Sequence, residues 1–163
     1  MAESLLRGIP VQYEPKRENR FICEFPAELG IEVWKIQEFK RPSLKINKVE
    51  IPYMNTSNWV AGKSIWDEME LKFLDVIGPS TSQQLMEWVR LHFESLTGRM
   101  GYAAGYKKSL LLKSLDPTGI EIDKWTIEDA QIVSADFGSN SYGSDAIVML
   151  TIVIQPFRCI HNI

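Results

Sequence analysis

The sequence predicts a mainly β protein, a sandwich or small barrel of about seven to eight strands with one flanking amphipathic α-helix. Three observations carry this. Apolar and polar residues alternate in short runs over most of the chain, as half-buried strands require. Several of those runs stop at proline or at a glycine-containing turn. Only one segment, from Leu85 to Leu96, spaces its apolar residues at three- and four-residue steps.

Residues 1–18 hold Pro10, Pro15 and a mixed cluster of Glu14, Lys16, Arg17 and Glu18, which predicts an extended arm ahead of a single domain over 19–163. Arg20 to Phe25 reads as the first strand and ends at Pro26. Ile31 to Phe39 is the second, stopped by Pro42. Leu44 to Ile51 is the third, and its apolar positions change phase between Ile46 and Val49, which predicts a bulge. Further on, Met69, Leu71 and Phe73 alternate with Glu68, Glu70 and Lys72, giving a strand with a distinct inner face.

A helix follows. Pro79 to Gln84 supplies N-cap chemistry, with Thr81 three residues before Gln84. Leu85, Trp88, Val89, Phe93 and Leu96 form its packing stripe, and Gly98 is placed to end it in the left-handed region. His92 lies on or near the stripe and reads as a packed, hydrogen-bonded core histidine. A glycine-rich loop (97–107) leads to a strand over 109–115. In the turn Asp116-Pro117-Thr118-Gly119, Asp bonds the backbone, Pro sets φ and Gly accepts positive φ. A return strand carries Ile120, Ile122, Trp125 and Ile127 with a phase slip. Another spans 130–137, a connection spans 138–144, and the last strand runs from Ala146 to Phe157. Its two apolar faces predict cover on both.

The segment between the third and fourth strands is the most informative. Tyr53, Met54, Trp59 and Val60 are apolar yet stand among Asn55, Thr56, Ser57 and Asn58. Exposed apolar patches mark contact surfaces, and Tyr, Trp and Met are enriched at interface centres. The segment is read as a long connection whose tip docks onto another molecule.

Composition excludes several functions. With 21 acidic and 18 basic residues the net charge is −3, so there is no basic footprint for gripping nucleic acid. No apolar run reaches the roughly 20 residues of a membrane helix, and the first ten residues do not form a signal peptide. Ala61-Gly62-Lys63-Ser64 imitates the end of a phosphate-binding loop, but the first glycine of that loop is replaced by Ser57 and a strand follows. The two histidines, His92 and His161, have no metal-ligand spacing with cysteine. No catalytic site, cofactor or metal is expected. Cys23 and Cys159 read as thiols in a reducing compartment, with a bond formed later, within or between subunits, as the alternative.

Strand edges are the physical problem of a small β domain, because unpaired backbone groups invite another chain. Pairing edges between identical subunits around a closed ring removes them, and an open-ended contact along the ring axis would then stack rings. The residues that fit this picture also carry a resemblance. Ile51-Pro52-Tyr53-Met54-Asn55, then Val60-Ala61-Gly62-Lys63, then Trp66-Asp67 leading into an alternating strand, resemble the tail tube proteins of contractile-tailed, T-even-like bacteriophages. Tyr106-Lys107-Lys108, the Trp88-bearing helix and Asn19-x-Phe21 match as well, so the similarity spans about residues 19–157. The arm and Trp59 depart from the pattern.

The resemblance implies a non-enzymatic virion protein forming homohexameric rings. Stacked inside a contractile sheath, these would make the inner tail tube through which DNA passes on ejection. Its implied partners are further copies of itself, the sheath, the tape-measure protein, the baseplate and the tail terminator. DNA is in contact only in transit, without tight binding, and no membrane is entered. Assembly would occur in the host cytoplasm. Three alternatives stand beside it: a baseplate tube initiator, the tube of a phage-derived secretion or injection machine, and, from a different class, a small β-barrel ligand-binding protein or enzyme. A conduit must not hold its cargo, so acidic side chains should outnumber basic ones on the lumen wall.

Overall fold

The computed structural model describes residues 12–162. Eleven strands are formed among them: β1 (Phe21–Glu24), β2 (Ile36–Phe39), β3 (Leu44–Tyr53), β4 (Thr56–Trp66), β5 (Met69–Leu74), β6 (Phe93–Glu94), β7 (Arg99–Met100), β8 (Lys108–Leu115), β9 (Glu121–Asp136), β10 (Met149–Gln155) and β11 (Arg158–Asn162). The helices are α1 (Thr81–His92) and the single turn α2 (Ala103–Tyr106). Of the expected arm, residues 1–11 lie outside the described residues.

Two four-stranded antiparallel sheets share one strand. The first runs β1-β8-β9-β11 and uses the first half of β9. The second runs β9-β10-β5-β2 and uses residues 131–136 of β9. Both partners change sheet at one corner. Asp129 takes φ 52° inside β9, and Pro156 with Phe157 separates β10 from β11. A bend of this kind lets one strand serve two sheets of a sandwich. The two strands expected over 120–127 and 130–137 are therefore one continuous strand of 16 residues. A single bent residue does not interrupt pairing, although it reverses the alternation that sequence patterns register.

The core lies between the sheets. Met69, Leu71 and Phe73 face Leu150, Ile152 and Ile154 across β5 and β10, and Leu110, Leu112 and Ile127 close it from the other sheet. The inner face expected of β5 is thus formed. β10 is covered on one face only: Leu150, Ile152 and Ile154 are buried, while Thr151, Val153 and Gln155 stay half-buried on the other. The two-sided cover expected for this strand is absent among the described residues. The second strand is shorter than expected, because Val33–Lys35 forms a 3-10 turn before β2 begins at Ile36.

The helix is anchored by its first two turns and ends early. Leu85 and Trp88 are buried and Val89 is half-buried. Phe93 and Leu96 leave the stripe, since the helix stops at His92 and both residues are exposed. Gly98 does adopt a left-handed conformation, φ 69°, but in the turn joining β6 to β7. The predicted cap differs too. Ser80 is the N-cap and Thr81 Oγ1 donates to the Leu74 carbonyl at 2.9 Å. Asp75 accepts from Ser82 N at 3.3 Å and Ser82 Oγ at 2.6 Å, so the exposed helix end is satisfied from β5's side. Gln84 instead ties the helix to the preceding segment. Its amide donates to Gly30 O at 2.8 Å, and its carbonyl accepts from the buried Lys35 Nζ at 3.0 Å.

The 116–119 turn is formed as expected. Asp116 Oδ1 accepts from Thr118 N at 2.9 Å and Ile120 N at 2.7 Å, and Gly119 sits at φ 88°, a region L side chains disfavour. Those hydrogen bonds hold the Asp116 carboxyl below its ordinary range, with the Thr118 side chain contributing most.

Candidate assembly interface

β3 and β4 form a two-stranded sheet of their own, outside both main sheets. Every residue of β3 is exposed, and on β4 only Gly62 and Trp66 are partly covered. The expected long connection is mostly strand. Pairing runs from Leu44↔Trp66 to Tyr53↔Thr56, leaving Met54 and Asn55 as a two-residue turn. The bulge expected on β3 between Ile46 and Val49 falls on β4 instead: Ile46 pairs with Ser64 and Lys48 with Ala61, so Ile46 and Val49 keep opposite faces and the extra β4 residue lies opposite Asn47. Gly62 lies opposite it: a Cβ there would meet Asn47 O at 3.1 Å and Val49 Cγ2 at 3.2 Å.

Pairing sorts the side chains by face, because directly opposed residues point the same way. One face carries Val49, Ile51 and Tyr53 from β3, with Val60, Asn58 and Thr56 opposite, and Lys45 with Ile65 nearer the root. The other carries Leu44, Ile46, Lys48, Glu50 and Pro52, with Trp66, Ser64, Ala61, Trp59 and Ser57 opposite. Trp59 is thus not beside Tyr53 but on the charged face, with Lys48 Nζ 4.4 Å from its ring centre. Ser57 Oγ donates to Glu50 Oε1 at 2.5 Å on that same face. Sequence order alone groups Tyr53 with Trp59; register separates them, and it adds Val49 and Ile51 to the apolar set.

Met54 is 88% exposed and adopts φ 49°. Glycine would take that conformation without strain, so a Met held there in water points to a use for its side chain. Thr56 Oγ1 donates to Tyr53 O at 3.1 Å and closes the turn. At the root, Asp67 N donates to Ser43 O at 2.9 Å, Gln155 Nε2 donates to Trp66 O at 2.8 Å, and Trp66 meets Trp125 edge-on at 6.3 Å. The hairpin is therefore fixed where it leaves the sandwich and free beyond.

The second main sheet offers a different kind of surface. Its strand rows place Glu38, Lys72, Thr151 and Asp136 side by side, with Glu70, Val153 and Ser134 in the next row. These side chains face away from the core. Three carboxylates, Glu38, Glu70 and Asp136, share this face with Lys72, which pairs with Glu38 at 3.1 Å, and with Lys40, whose backbone N donates to Glu70 O at the edge of the second row. Both outer strands of the sheet, β2 and the 133–136 portion of β9, have no strand on their far side among the described residues.

The remaining candidates are structural. His92 Nε2 accepts from Ile132 N at 3.1 Å, its Nδ1–H donates to Trp88 O at 3.1 Å, and the ring stacks on Tyr106 at 4.4 Å. Both nitrogens are occupied by backbone, so the neutral ring ties α1 to β9. Burial lowers its pKa against a smaller opposing effect of the Trp88 carbonyl. A folded pKa below the ordinary value of about 6.5 means stability is present above that pH and declines as pH falls below it. Accordingly, the stability advantage of the native chain over a His92→Phe variant should shrink between pH 7.5 and pH 5 in urea unfolding. A constant difference would count against the assignment.

Cys23 and Cys159 are free, buried thiols. They sit on β1 and β11, with β8 and β9 between, three strand spacings or roughly 14 Å apart. A bond between them within one chain does not fit that separation. Burial raises both pKa values, Cys159 to about 11, which keeps the unreactive thiol form. Among the described residues no group of three or more His, Cys, Asp or Glu could hold a metal, and no helix is long and apolar enough to cross a membrane.

No protein-family model matches the chain, and no curated protein matches it in sequence. Solved structures do. A chain of the extracellular contractile injection system PVC, solved as its sheath/tube terminator in the extended state, superposes with TM-score 0.75 at 17% identity, covering 94% of this chain and 100% of that one. A chain of the anti-feeding prophage tube-terminating cap gives 0.74 at 18%, covering 94% of each. A chain of the PVC sheath–tube complex gives 0.69 at 18%, covering 93% of each. These neighbours are structural components of contractile assemblies, and this chain is tail-tube-like in fold.

Proposed function

We propose that this chain is a structural protein whose copies close into hexameric rings, and that the rings stack into the inner tube of a contractile tail. The observation that carries the reading is the β3–β4 hairpin. It extends on the order of 30 Å with an apolar face that the described residues leave uncovered. Covering each of Val49, Ile51, Tyr53 and Val60 on a neighbouring ring would contribute about 1.5–3 kcal/mol before ordering costs. Repeated around a ring, such contacts favour stacking cooperatively.

The second sheet supports lateral closure. It has four antiparallel strands per chain, so β2 runs opposite to β9. A rotated copy brings its β9 beside this β2 in the same antiparallel sense, and the alternation continues around a closed barrel. An odd number of strands would force a parallel mismatch at each junction. In that barrel the polar face bearing Glu38, Glu70 and Asp136 lines the lumen, and its acidic excess keeps phosphates from lodging. DNA would then pass without tight binding. The sheath, tape-measure protein, baseplate and terminator are the remaining partners, with the virion tail as the location and the host cytoplasm as the place of assembly. The 1–18 arm and the 19–163 domain keep their proposed division.

A second reading, the tube of a phage-derived injection machine, is favoured by the source of two of the neighbours, an extracellular contractile injection system. Copy number per particle separates a tube subunit from a terminator or initiator. Replacing Val49, Ile51 and Tyr53 together by Ser tests the docking surface. The unfolding midpoint of the isolated chain should move by less than about 2 °C, since the three are exposed. Rings should form without stacking. Tubes of normal length from this variant would refute the docking assignment.

A further inference from the structure

We infer that the 137–147 loop of one copy packs on Val33 and Trp34 of the next copy in the ring. The inference rests on the ring reading and names the side chains of its lateral contact. Strand register places the two segments. Ile36, at the start of β2, pairs with Phe73, which pairs with Leu150; Asp136, at the end of β9, pairs with Thr151 one residue away. The beginning of β2 and the end of β9 therefore lie at the same end of the sheet, on its opposite edges. Val33 and Trp34 immediately precede β2, and the loop immediately follows β9.

Both segments hold apolar side chains that the chain leaves in water. Trp34 is 53% exposed and Val33 is exposed with it; Tyr142 is 113% exposed, and Ile147 and Phe137 are exposed on the same connection. Trp34 is held in place, since its indole N–H donates to Glu32. The opposite loop bends back on itself at Gly138, φ 82°, where Gly138 N donates to Asp136 Oδ1 at 2.9 Å. The rotation that sets one copy's β9 against the next copy's β2 keeps strand ends level and brings the patches together. This is a heterologous contact, one patch meeting a different one, and it closes with the ring. A second copy fits both patches with one operation, whereas an unrelated partner would need separate sites for each.

Mixing two single variants tests the contact. Chains carrying Trp34→Cys are combined with chains carrying Tyr142→Cys, assembled, and exposed to a mild oxidant. A covalent dimer joining residues 34 and 142 is expected from the mixture and little from either variant alone, because in either alone the new thiol faces an unmodified neighbour. Cys23 and Cys159 stay in place, buried. Separately, Tyr142→Ala should raise the protein concentration needed for rings about tenfold. Rings seen by electron microscopy in a mixture that cross-links no more than the single variants would overturn the contact and leave the ring reading intact. Single particles at every concentration of the unmodified protein would overturn both.

Discussion

Trp88→Ala should cost about 3–5 kcal/mol of folding stability, the range for emptying a large aromatic site in a core. The indole is fully buried, and its Nε1–H donates to Tyr106 O at 2.9 Å. It thereby holds α1 to the segment leading into β8. The His92 tie uses the Trp88 backbone carbonyl, which the substitution leaves in place, so the loss reports the indole alone. Trp88→Phe separates the contributions: most packing stays, the Tyr106 carbonyl loses its donor, and about 1–2 kcal/mol should be lost. Leu96→Ala serves as the control, because Leu96 is 91% exposed and its truncation should fall within about 0.5 kcal/mol of zero. Urea unfolding of the four proteins orders them. A Trp88→Ala loss below about 1 kcal/mol would mean that α1 is not anchored by this side chain.

Element type was legible wherever a periodic run is packed on one side. Met69, Leu71 and Phe73 alternate because only one face of β5 meets the core. Leu85 and Trp88 recur because one face of α1 does. The misreadings have physical causes. Phe93 and Leu96 continue the helical spacing by residue type, yet Gly101 N donates to His92 O and starts a hairpin there, so tertiary pairing ends the helix. The unity of β9 was hidden by Asp129, whose positive φ flips the alternation while the ladder continues. The candidate interface was legible as a patch and illegible as a face. Which side chains stand together on the hairpin depends on the register shift after Ile46 and on a turn of only two residues. Tyr53 and Trp59 are close in sequence and both apolar, but opposite faces carry them.

The hairpin and the sandwich also differ in what holds them, and Asp123 marks the junction. Its side chain is 3% exposed, and two cations and a histidine from separate elements face it: Lys16 by a hydrogen bond, Arg41 Nη2 at 3.6 Å and His161 Nε2 at 3.7 Å. Arg41 belongs to the link between β2 and β3, so the carboxylate ties the root of the hairpin to β9. Burial raises the Asp123 pKa, but the Lys16 hydrogen bond and the charges of Lys16 and Arg41 outweigh it, and the net displacement is downward. Oδ1 has no hydrogen-bond partner among the described residues, and the group depends on its charge pairs.

That dependence makes the mutational effects unequal. The two cations are about half exposed and regain water when the carboxylate is removed. Asp123→Asn should therefore cost only about 1–2 kcal/mol. Lys16→Met with Arg41→Met leaves a buried carboxylate facing His161 alone, and such stranded charges cost about 3–5 kcal/mol. At roughly 2–4 °C per kcal/mol for a chain of this size, the midpoint should drop on the order of 10 °C. Adding Asp123→Asn to the double variant should restore most of that loss, because the stranded charge is gone. The pH dependence carries the same sign. A carboxyl lowered on folding stabilises above its unfolded pKa of about 3.9 and ceases to do so as pH falls through the lower folded value. Native chain and double variant should differ most near neutrality and converge in acid. If adding Asp123→Asn deepens the loss instead of relieving it, the carboxylate is not what the two cations serve.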